Sequence, residues 1–325
     1  MVNDMAEAQV LSTTRKKVSY AKWGYIFIIP FFVIYFIFSL WPLLQTFYFS
    51  FFRYYRESAT EWVGPEFVGF QNYIRVLSDG DFFFYLGNTL ILWILCFVPQ
   101  IVVSLLLAVW FTDRRLKLRG QGFFKTVMYM PNLIMAAAFG ALFLSLFSLI
   151  GPVNSLLMEW GVITEPFDFT ADVWWTRIII ALMNFLMWFG NTTLLLMSGV
   201  MGIDEDIFEA ATVDGAGAFR TFKDITMPLL RPIFVYVFIT SLIGGIQLFD
   251  AAQMFTRQQG GTNETSMTVM MYLNKTFSRS SNYGKAGAIS IILFIMTAAL
   301  SVVVFFVSYK DSLPKKKKKV KANGN

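Results

Sequence analysis

Six long apolar stretches, separated by charged or helix-breaking residues, run along the 325-residue sequence. A helix of about 20 apolar residues is long enough to cross the hydrocarbon core of a bilayer. The predicted spans are 23–49, 88–111, 123–150, 173–200, 233–254 and 284–309. Pro30 and Pro42 are expected to kink the first span, and the third contains Pro131 followed by Asn132. The pattern therefore predicts an all-α polytopic membrane protein with six transmembrane helices.

Basic residues cluster at alternate ends of these spans, as the positive-inside rule expects of cytoplasmic loops. They precede the first span and separate the second from the third: Arg15, Lys16, Lys17, Lys22, Arg114, Arg115, Lys117 and Arg119. The loop before the fourth span instead carries acidic residues: Glu159, Glu165, Asp168 and Asp172. The chain is thus predicted to have a cytoplasmic basic tail at 1–22, a six-span domain at 23–309 and a cytoplasmic Lys-rich tail at 310–325, which anionic lipids would attract.

A polar segment at 203–232 separates the fourth span from the fifth. Asp204 or Asp206 can cap a short helix that carries Glu209, and the spacing of Asp206 and Glu209 resembles a capping box. Gly215 and Gly217 then predict a break in the helix. Because four predicted spans lie between the cytoplasmic N-terminal tail and this polar segment, the segment is predicted to be cytoplasmic as well.

A second short helix is predicted within the polar segment at 218–226. Pro228 and Pro232 are expected to end it and to start the fifth span, because proline lacks the backbone donor of a helix interior. The polar segment is therefore predicted to fold as a compact helix-turn-helix on one face of the membrane.

Composition narrows the function further. Hydrophobic residues make up 56% of the chain, with 36 Phe and a mean hydropathy of +0.57, which is too apolar for a soluble domain. The single cysteine, Cys96, lies in an apolar run, and the sequence has no histidine, so a disulfide framework is excluded and metal, redox or acid–base catalysis is disfavoured. The net charge of +6 comes largely from the tails and indicates topology, not nucleic-acid binding.

The polar segment resembles the coupling loop of the membrane subunits of binding-protein-dependent ABC importers. The resemblance rests on Glu209-Ala210-Ala211, followed after three residues by Gly215 and then by an aromatic-containing helix ending in proline. The alternative is an ordinary cytoplasmic connecting helix. Small residues beside an exposed acidic cap favour close packing into a groove of a partner. The coupling residues implied by the resemblance are Glu209, Ala210, Ala211, Asp214, Gly215, Ala216 and Phe219.

Two further segments are similar to the carbohydrate branch of that family, the maltose and multiple-sugar type. One is Val68-Gly69 with Asn72-Tyr73 ahead of the second span, in an acidic-leaning region expected outside. An amphipathic interfacial helix is the alternative for these residues. The other is Gly260-Gly261, where Thr262 replaces the proline of the family pattern and is expected to loosen the turn.

The resemblance implies a type I ABC importer permease fold in a bacterial plasma or inner membrane, with both termini cytoplasmic. It also implies a heterodimer with a second permease, two ATP-binding cassette subunits and an extracellular sugar-binding protein. ATP and Mg²⁺ would be bound by the ATPase subunits, because this sequence has no Gly-x-x-x-x-Gly-Lys-Ser/Thr loop. We therefore expect no cofactor in this chain and no enzymatic activity of its own.

Uncharged polar and aromatic residues within the fourth and fifth spans indicate the substrate class. Asn184, Trp188 and Asn191 follow helical spacing along one stripe. The predicted pathway residues of the fifth span are Ser241, Gly245, Gln247, Leu248 and Asp250. Amides and hydroxyls can bind sugar hydroxyls while an aromatic ring stacks on the sugar face.

Other interpretations of these polar residues stay open. They could simply hydrogen-bond neighbouring helices. A glycerol-phosphate permease would call for basic residues in the spans, and a polyamine permease for acidic ones, of which Asp250 is a candidate. A six-span channel is a further alternative from another functional class. Oligosaccharide import is the function that the sequence favours.

Overall fold

A computed structural model describes residues 21–58, 60–113 and 119–309. The described residues leave out the C-terminal tail, most of the N-terminal tail, and Arg114, Arg115 and Lys117. The predictions made for those residues therefore stay predictions. The chain separates into two compact units, one ending at Tyr48 and one beginning at Phe49, and each is described by itself. The proposed domain boundaries at 22 and 309 stay predictions.

The first unit is one long apolar run of helical turns. It comprises α1 (Ala21–Tyr35), a π-helical turn at Phe36–Leu40 and α2 (Trp41–Ser50), whose last two residues belong to the second unit. The π turn lies directly before Pro42, and the N–H of Trp41 bonds the carbonyl of Phe36. Proline would collide with the carbonyl four residues earlier in a regular helix, so the wider turn accommodates it.

The second unit contains one β-hairpin and the remaining helices. The strands are β1 (Phe52–Arg56) and β2 (Trp62–Phe67). The helices are α3 (Gln71–Ser78), α4 (Gly80–Thr112), α5 (Gln121–Tyr129), α6 (Ala136–Leu146), α7 (Pro152–Glu159), α8 (Val173–Met201), α9 (Glu205–Val213), α10 (Ala218–Thr221), α11 (Met227–Leu229), α12 (Arg231–Ile246), α13 (Asp250–Phe255), α14 (Val269–Asn274) and α15 (Tyr283–Tyr309). Short 3-10 turns occupy Met130–Leu133 and Thr262–Glu264, and π turns occupy Phe222–Thr226 and Lys275–Arg279.

Five helical stretches among the described residues are long and apolar enough to cross a membrane, and a bent pair can supply a sixth span. The five are Lys22–Ser50, Gly80–Thr112, Val173–Met201, Arg231–Phe255 and Tyr283–Ser308. The prediction of a multi-pass α-helical membrane protein is confirmed. The boundaries predicted for the fourth and sixth spans agree closely with α8 and α15.

The third predicted span, 123–150, is not one helix. α5 and the following 3-10 turn meet α6 at an angle of 93°. Ile134 and Met135 have extended backbones at the bend. Pro131 lies in the first turn of the 3-10 helix, and the Asn132 amide donates 3.0 Å to the carbonyl of Met187, which fixes the bend against α8.

Two other span boundaries differ from the prediction. α4 begins at Gly80 and not at Asn88, because the Asp79 side chain caps it by accepting from the N–H of Asp81. The fifth span is interrupted, since α12 ends at Ile246 and α13 begins at Asp250. Phe249 at this break has φ −140° and ψ −71°, outside helical geometry.

The β-hairpin was not predicted from the sequence. β1 and β2 pair antiparallel with Phe52 opposite Phe67, and a helix starts only at Gln71. Tyr54 stacks on both Trp62 and Tyr283, with ring centroids 5.3 and 5.2 Å away, so residues distant in sequence hold the hairpin. The helix that was the alternative interpretation of residues 67–73 is therefore present only in part: Phe67 ends β2, and α3 begins at Gln71.

The core of the second unit lies where α4 and α8 pack together. Buried side chains there include Phe82, Leu92, Ile180, Met183 and Leu196. Midway along the pair, polar contacts also join these helices: Gln100 Nε2 donates 2.7 Å to Thr192 Oγ1, and Ser104 Oγ donates 2.9 Å to the carbonyl of Phe189. On the other side of α4, Trp93 Nε1 donates 3.1 Å to Ser241 Oγ of α12.

The buried Gln100–Thr192 hydrogen bond should stabilise the α4–α8 pair measurably. We expect a double-mutant cycle of Gln100→Met and Thr192→Val to give a coupling free energy of about 0.6 kcal/mol, and at most about 1.7 kcal/mol, as for other bonds between membrane helices. Unfolding of the purified chain in mixed detergent micelles measures it. Thr193→Val is the control, because that buried hydroxyl bonds the carbonyl of Phe189 in its own helix. No coupling for Gln100 and Thr192 would contradict the assignment.

Gly245 should tolerate no side chain, because α12 lies against the Trp93 ring at this point. A Cβ at 245 would lie 2.1 Å from Cδ1 of Trp93, whereas a Cβ at Gly244 would meet nothing within 4 Å. Overpacking of this kind costs about 1–3 kcal/mol. Thermal unfolding followed by tryptophan fluorescence should therefore show a lower midpoint for Gly245→Ala but not for Gly244→Ala. Equal midpoints for the two variants would rule out the close contact.

Candidate functional site

The first helix of the polar segment, α9, starts with a defined cap. Asp204 is the capping residue, and its carboxylate accepts from the N–H of Asp206 at 3.2 Å. The predicted capping box of Asp206 and Glu209 is wrong, because Asp206 is already the second helical residue. Glu205 and Asp206 lie in the first turn, where carboxylates interact favourably with the helix dipole.

The end of α9 is a Schellman turn. The N–H of Ala216 bonds the carbonyl of Ala211 at 2.9 Å, and the N–H of Gly215 bonds that of Thr212 at 3.1 Å. Gly215 has φ +72°, a left-handed conformation that only glycine adopts without strain. The predicted break at Gly215 is thereby confirmed, and Gly217 precedes α10 in an extended conformation.

The second helix of the polar segment is longer than predicted. The chain stays helical from α10 through the π turn and α11 to Leu229, past Pro228. The N–H of Met227 bonds the carbonyl of Phe222, five residues earlier, just before the proline. As at Pro42, the π turn makes room for the ring. Pro232 lies in the first turn of α12, as predicted.

Most of the predicted coupling residues are on the surface of the chain. Glu209, Ala210, Asp214 and Gly215 are exposed, and Phe219 is 76% exposed. Ala211 is buried and Ala216 is half-buried, so Ala211 packs inward and offers no surface to a partner. Val213, which was not predicted as a coupling residue, is 87% exposed near the turn and is a second exposed apolar side chain of the polar segment besides Phe219.

A cavity of about 610 Å³ lies beneath the polar segment. On one side it is lined by Phe208, Glu209 and Phe222 of that segment. On the other side it meets the ends of α4 and α8 and the start of α5, at residues such as Phe111 and Met201. The polar segment is therefore joined to α8 and α12 through the chain, with unfilled space between it and the helix ends.

The predicted stripe on α8 faces away from the core. Trp188 is 48% exposed, Asn191 is exposed and Asn184 is half-buried, while Met183 and Met187 are buried. Asn184 donates 2.9 Å to the carbonyl of Ile180 in its own helix. Within the described residues, neither Asn184 nor Asn191 hydrogen-bonds another helix, and Thr192 makes the bond to α4 instead. The helix-bonding alternative therefore finds no support at these two asparagines within the described residues.

The predicted residues of the fifth span divide into two groups. Ser241 and Gly245 contact Trp93 of α4 and contribute to helix packing. Gln247 and Asp250 are exposed on either side of the break between α12 and α13. The carbonyl of Leu248, within the break, accepts from Thr268 Oγ1 at 2.7 Å.

A buried polar network at the start of α4 and α8 was not predicted from the sequence, although Arg177 lies within the predicted fourth span. Arg177 is only 8% exposed. Its guanidinium donates to Asn88 Oδ1 at 2.9 Å and to the carbonyl of Thr265 at 2.8 Å. Asn88 Nδ2 in turn donates 3.1 Å to the carbonyl of Glu264. The apolar flanks of α4 and α8 in the sequence gave no signal for this pairing.

The Glu264 carboxylate belongs to the same network. It accepts from Tyr85 and, at 2.7 Å, from Lys275 Nζ. Burial raises the pKa of Glu264, but the hydrogen bonds from Lys275 and Tyr85 outweigh it and lower that pKa below its ordinary value. Nearby, Thr262 Oγ1 donates 2.6 Å to the carbonyl of Ala171, so this residue ties the turn down and the expected loosening is wrong.

A second ion pair lies at the start of α4 and α15. Lys285 Nζ is 3.0 Å from Asp79 Oδ2. The hydrogen bond from Lys285 holds the pKa of Asp79 below its usual range. In the part of the chain that the structure describes, no three Cys, Asp or Glu side chains converge as metal ligands.

Comparison with known proteins agrees with this geometry. The family model of the "binding-protein-dependent transport system inner membrane component" matches residues 100–310. The lactose transport system permease protein of Rhizobium radiobacter is 30% identical over 286 residues, covering 88% of this chain and 93% of the relative. The multiple sugar-binding transport system permease protein of Streptococcus mutans is 29% identical over 303 residues, covering 91% and 99%.

A solved structure shares the fold. It is the crystal structure of a bacterial ABC transporter involved in the import of the acidic polysaccharide alginate, with a TM-score of 0.75 at 20% identity, covering 92% of this chain and 99% of that chain. The family match includes α8, the polar segment and α12, and therefore the site described above. This multi-pass membrane protein belongs to the family of binding-protein-dependent transport system inner membrane components.

Proposed function

We propose that this chain is one of two permease subunits of an ATP-driven importer of neutral oligosaccharides. The observation that carries the proposal is the polar segment: a capped helix, a Schellman turn and a second helix that present Glu209 and Phe219 at the surface. Such a preformed helical element can enter a groove of an ATP-binding subunit without an ordering cost. Membership of the binding-protein-dependent family supports the same role.

Continuity of the backbone supports a mechanical role for the polar segment. From Ala218 to Ile246 the chain is helical except at the Leu230 junction, so a displacement of α10 is passed to α12. At its other end, α9 follows α8 after a short link. The cavity beneath the segment leaves room for it to move relative to the ends of α4 and α5. ATP-driven movement would thus reach both helices that carry predicted pathway residues.

The exposed groups of α8 and of the α12–α13 break favour an uncharged substrate. Asn184, Trp188, Asn191 and Gln247 offer amides and an aromatic ring, which match sugar hydroxyls and a sugar face. Arg177 is the basic residue within α8, and its guanidinium is already engaged by Asn88 and Thr265. The relatives named for lactose and for multiple sugars support this substrate class.

The proposal includes an assembly and a topology. A second permease would complete the pathway, two ATP-binding subunits would bind ATP and Mg²⁺, and an external sugar-binding protein would deliver the substrate. The basic loop and tails support a topology in which both termini and the polar segment are cytoplasmic, with the importer in an inner membrane. This chain itself would hydrolyse no ATP.

Reversing the charge at Glu209 should uncouple the ATPase. We expect Glu209→Lys to leave the chain inserted and bound to the second permease, and to lower sugar-stimulated ATP hydrolysis by about tenfold or more, since a buried charge pair with a partner is replaced by repulsion. The measurement is ATPase activity of the purified complex with a panel of neutral oligosaccharides and its binding protein.

The matched control for Glu209→Lys is Glu159→Lys, the same change at an exposed glutamate of α7. That variant should retain full stimulation. Normal ATP-driven uptake by Glu209→Lys would contradict the coupling role. Purification of the wild-type chain without any ATP-binding subunit would overturn the importer proposal as a whole.

A cationic substrate is the second candidate, because Asp250 is an exposed carboxylate in the first turn of α13. The variant Asp250→Asn distinguishes a neutral sugar from a cationic substrate. With a neutral sugar as substrate, uptake should change by about threefold or less, because an amide replaces one hydrogen-bond acceptor. Loss of uptake by a hundredfold or more, together with competition by polyamines and none by sugars, would favour the cationic substrate.

A further inference from the structure

The break between α12 and α13 requires partners for its backbone. A carbonyl that leaves a helix within a membrane protein must be satisfied by another group of the protein. The carbonyl of Leu248 accepts a hydrogen bond from one side chain, Thr268, whose hydroxyl donates to it at 2.7 Å. Thr268 is fully buried, whereas Leu248 is half-buried, so the hydroxyl reaches this carbonyl from the protein interior.

The same hydroxyl has a second role. Thr268 Oγ1 accepts from the N–H of Met271 at 3.2 Å and so caps α14. A hydroxyl can donate one hydrogen bond while accepting another, and a carboxylate cannot. Thr268 therefore joins the break at Leu248 to the first turn of α14 through a single atom.

Residues 264–269, here named the anchor segment, are fixed to α4 and α8. The N–H of Val269 donates 2.9 Å to Thr89 Oγ1, and Thr89 is fully buried. The Arg177 guanidinium holds the carbonyl of Thr265, and Asn88 holds that of Glu264. Thr268 thus lies on a segment whose position is set by two long helices.

We propose that Thr268 is a positioning residue of the transport pathway. Its hydroxyl holds the Leu248 carbonyl against the anchor segment, and this fixes the direction in which Gln247 and Asp250 are presented. The proposal rests on the proposed function, since it assigns a role to the residues that flank the pathway. It adds that substrate affinity depends on a residue that does not touch the substrate.

Packing around the break makes this role separable from folding. Ile246 before the break, and Ala251, Ala252 and Phe255 after it, are all buried in the apolar core. These contacts stay when the Thr268 hydroxyl is removed. We therefore expect the orientation of the Gln247 side chain to change while the surrounding helices stay in place.

The test compares Thr268→Val with Thr268→Ser in the intact importer. Valine keeps the volume and removes both hydrogen bonds, whereas serine keeps the hydroxyl. We expect Thr268→Val to raise KM for oligosaccharide uptake by about fivefold, as for the loss of one hydrogen bond, with kcat changed by about twofold or less. Thr268→Ser should restore the KM. Thr276→Val is the matched control, because that buried hydroxyl bonds only its own helix, at the carbonyl of Tyr272.

A second readout does not depend on transport. The second readout is the rate at which a water-soluble maleimide labels the cysteine of the Gln247→Cys variant, made in a Cys96→Ser background. This rate reports how accessible position 247 is beside the break. This rate should change severalfold in Thr268→Val and stay constant in Thr276→Val. If Thr268→Val does not assemble, Thr268→Ala removes the same hydroxyl and is measured in its place.

The outcomes separate the two proposals. Equal effects of Thr268→Val and Thr276→Val, or no effect of Thr268→Val on KM and labelling, would overturn the positioning role. A shift in labelling in an importer whose wild-type form transports no oligosaccharide would uphold the positioning role and overturn the proposed substrate. Failure of serine to restore KM and labelling would show that the hydroxyl is not what matters.

Discussion

Backbone groups that leave a helix inside a bilayer must find partners in the protein, and this constraint decides where the chain places its buried polar side chains. At the bend between α5 and α6, the Asn132 amide donates to the carbonyl of Met187 in the middle of α8, which ties the bend to that helix although this carbonyl does not lie at a break. At the α12–α13 break, Thr268 satisfies Leu248. On the anchor segment, Arg177 satisfies Thr265. Each interruption is thus tied to a neighbouring helix, so the irregular parts of the fold are as firmly positioned as the regular ones.

The same constraint bears on how two prolines are accommodated without breaking the helices in which they lie. Both Pro42 and Pro228 follow a π turn, in which the N–H preceding the proline bonds a carbonyl five residues back. A full break before Pro228 would have left the polar segment hinged on irregular backbone. The π turn instead keeps the helix running to Leu229, so the element that carries Phe219 stays connected to α12 through a stiff path.

Hydropathy predicted the spans whose ends are set locally, and failed where distant contacts decide. α8 and α15 begin and end within about a residue of the prediction, because charged or helix-breaking residues bound them. The bend at Ile134 lies in a run whose hydropathy stays high across Pro131 and Asn132, and it is held by the contact between Asn132 and Met187. The site shows the same division. The exposure of Glu209 could be predicted from the polar residues around it in the sequence. The packing role of Ser241 could not, because it depends on Trp93, which is distant in sequence and donates to it.

The two ends of the α4–α8 pair differ in how they are held, and this bears on how a movement of the polar segment would spread. Arg177 and Asn88 join the helices and the anchor segment at one end, and Gln100 with Thr192 joins them midway. At the far end, Phe111 and the last turn of α8 line a cavity. Hydrogen-bonded contacts resist separation, whereas helix ends beside a cavity can shift without breaking such bonds. Under the proposed coupling role, a pull on α9 would act first on the cavity end of the pair, and the end joined by Arg177 and Asn88 would move less.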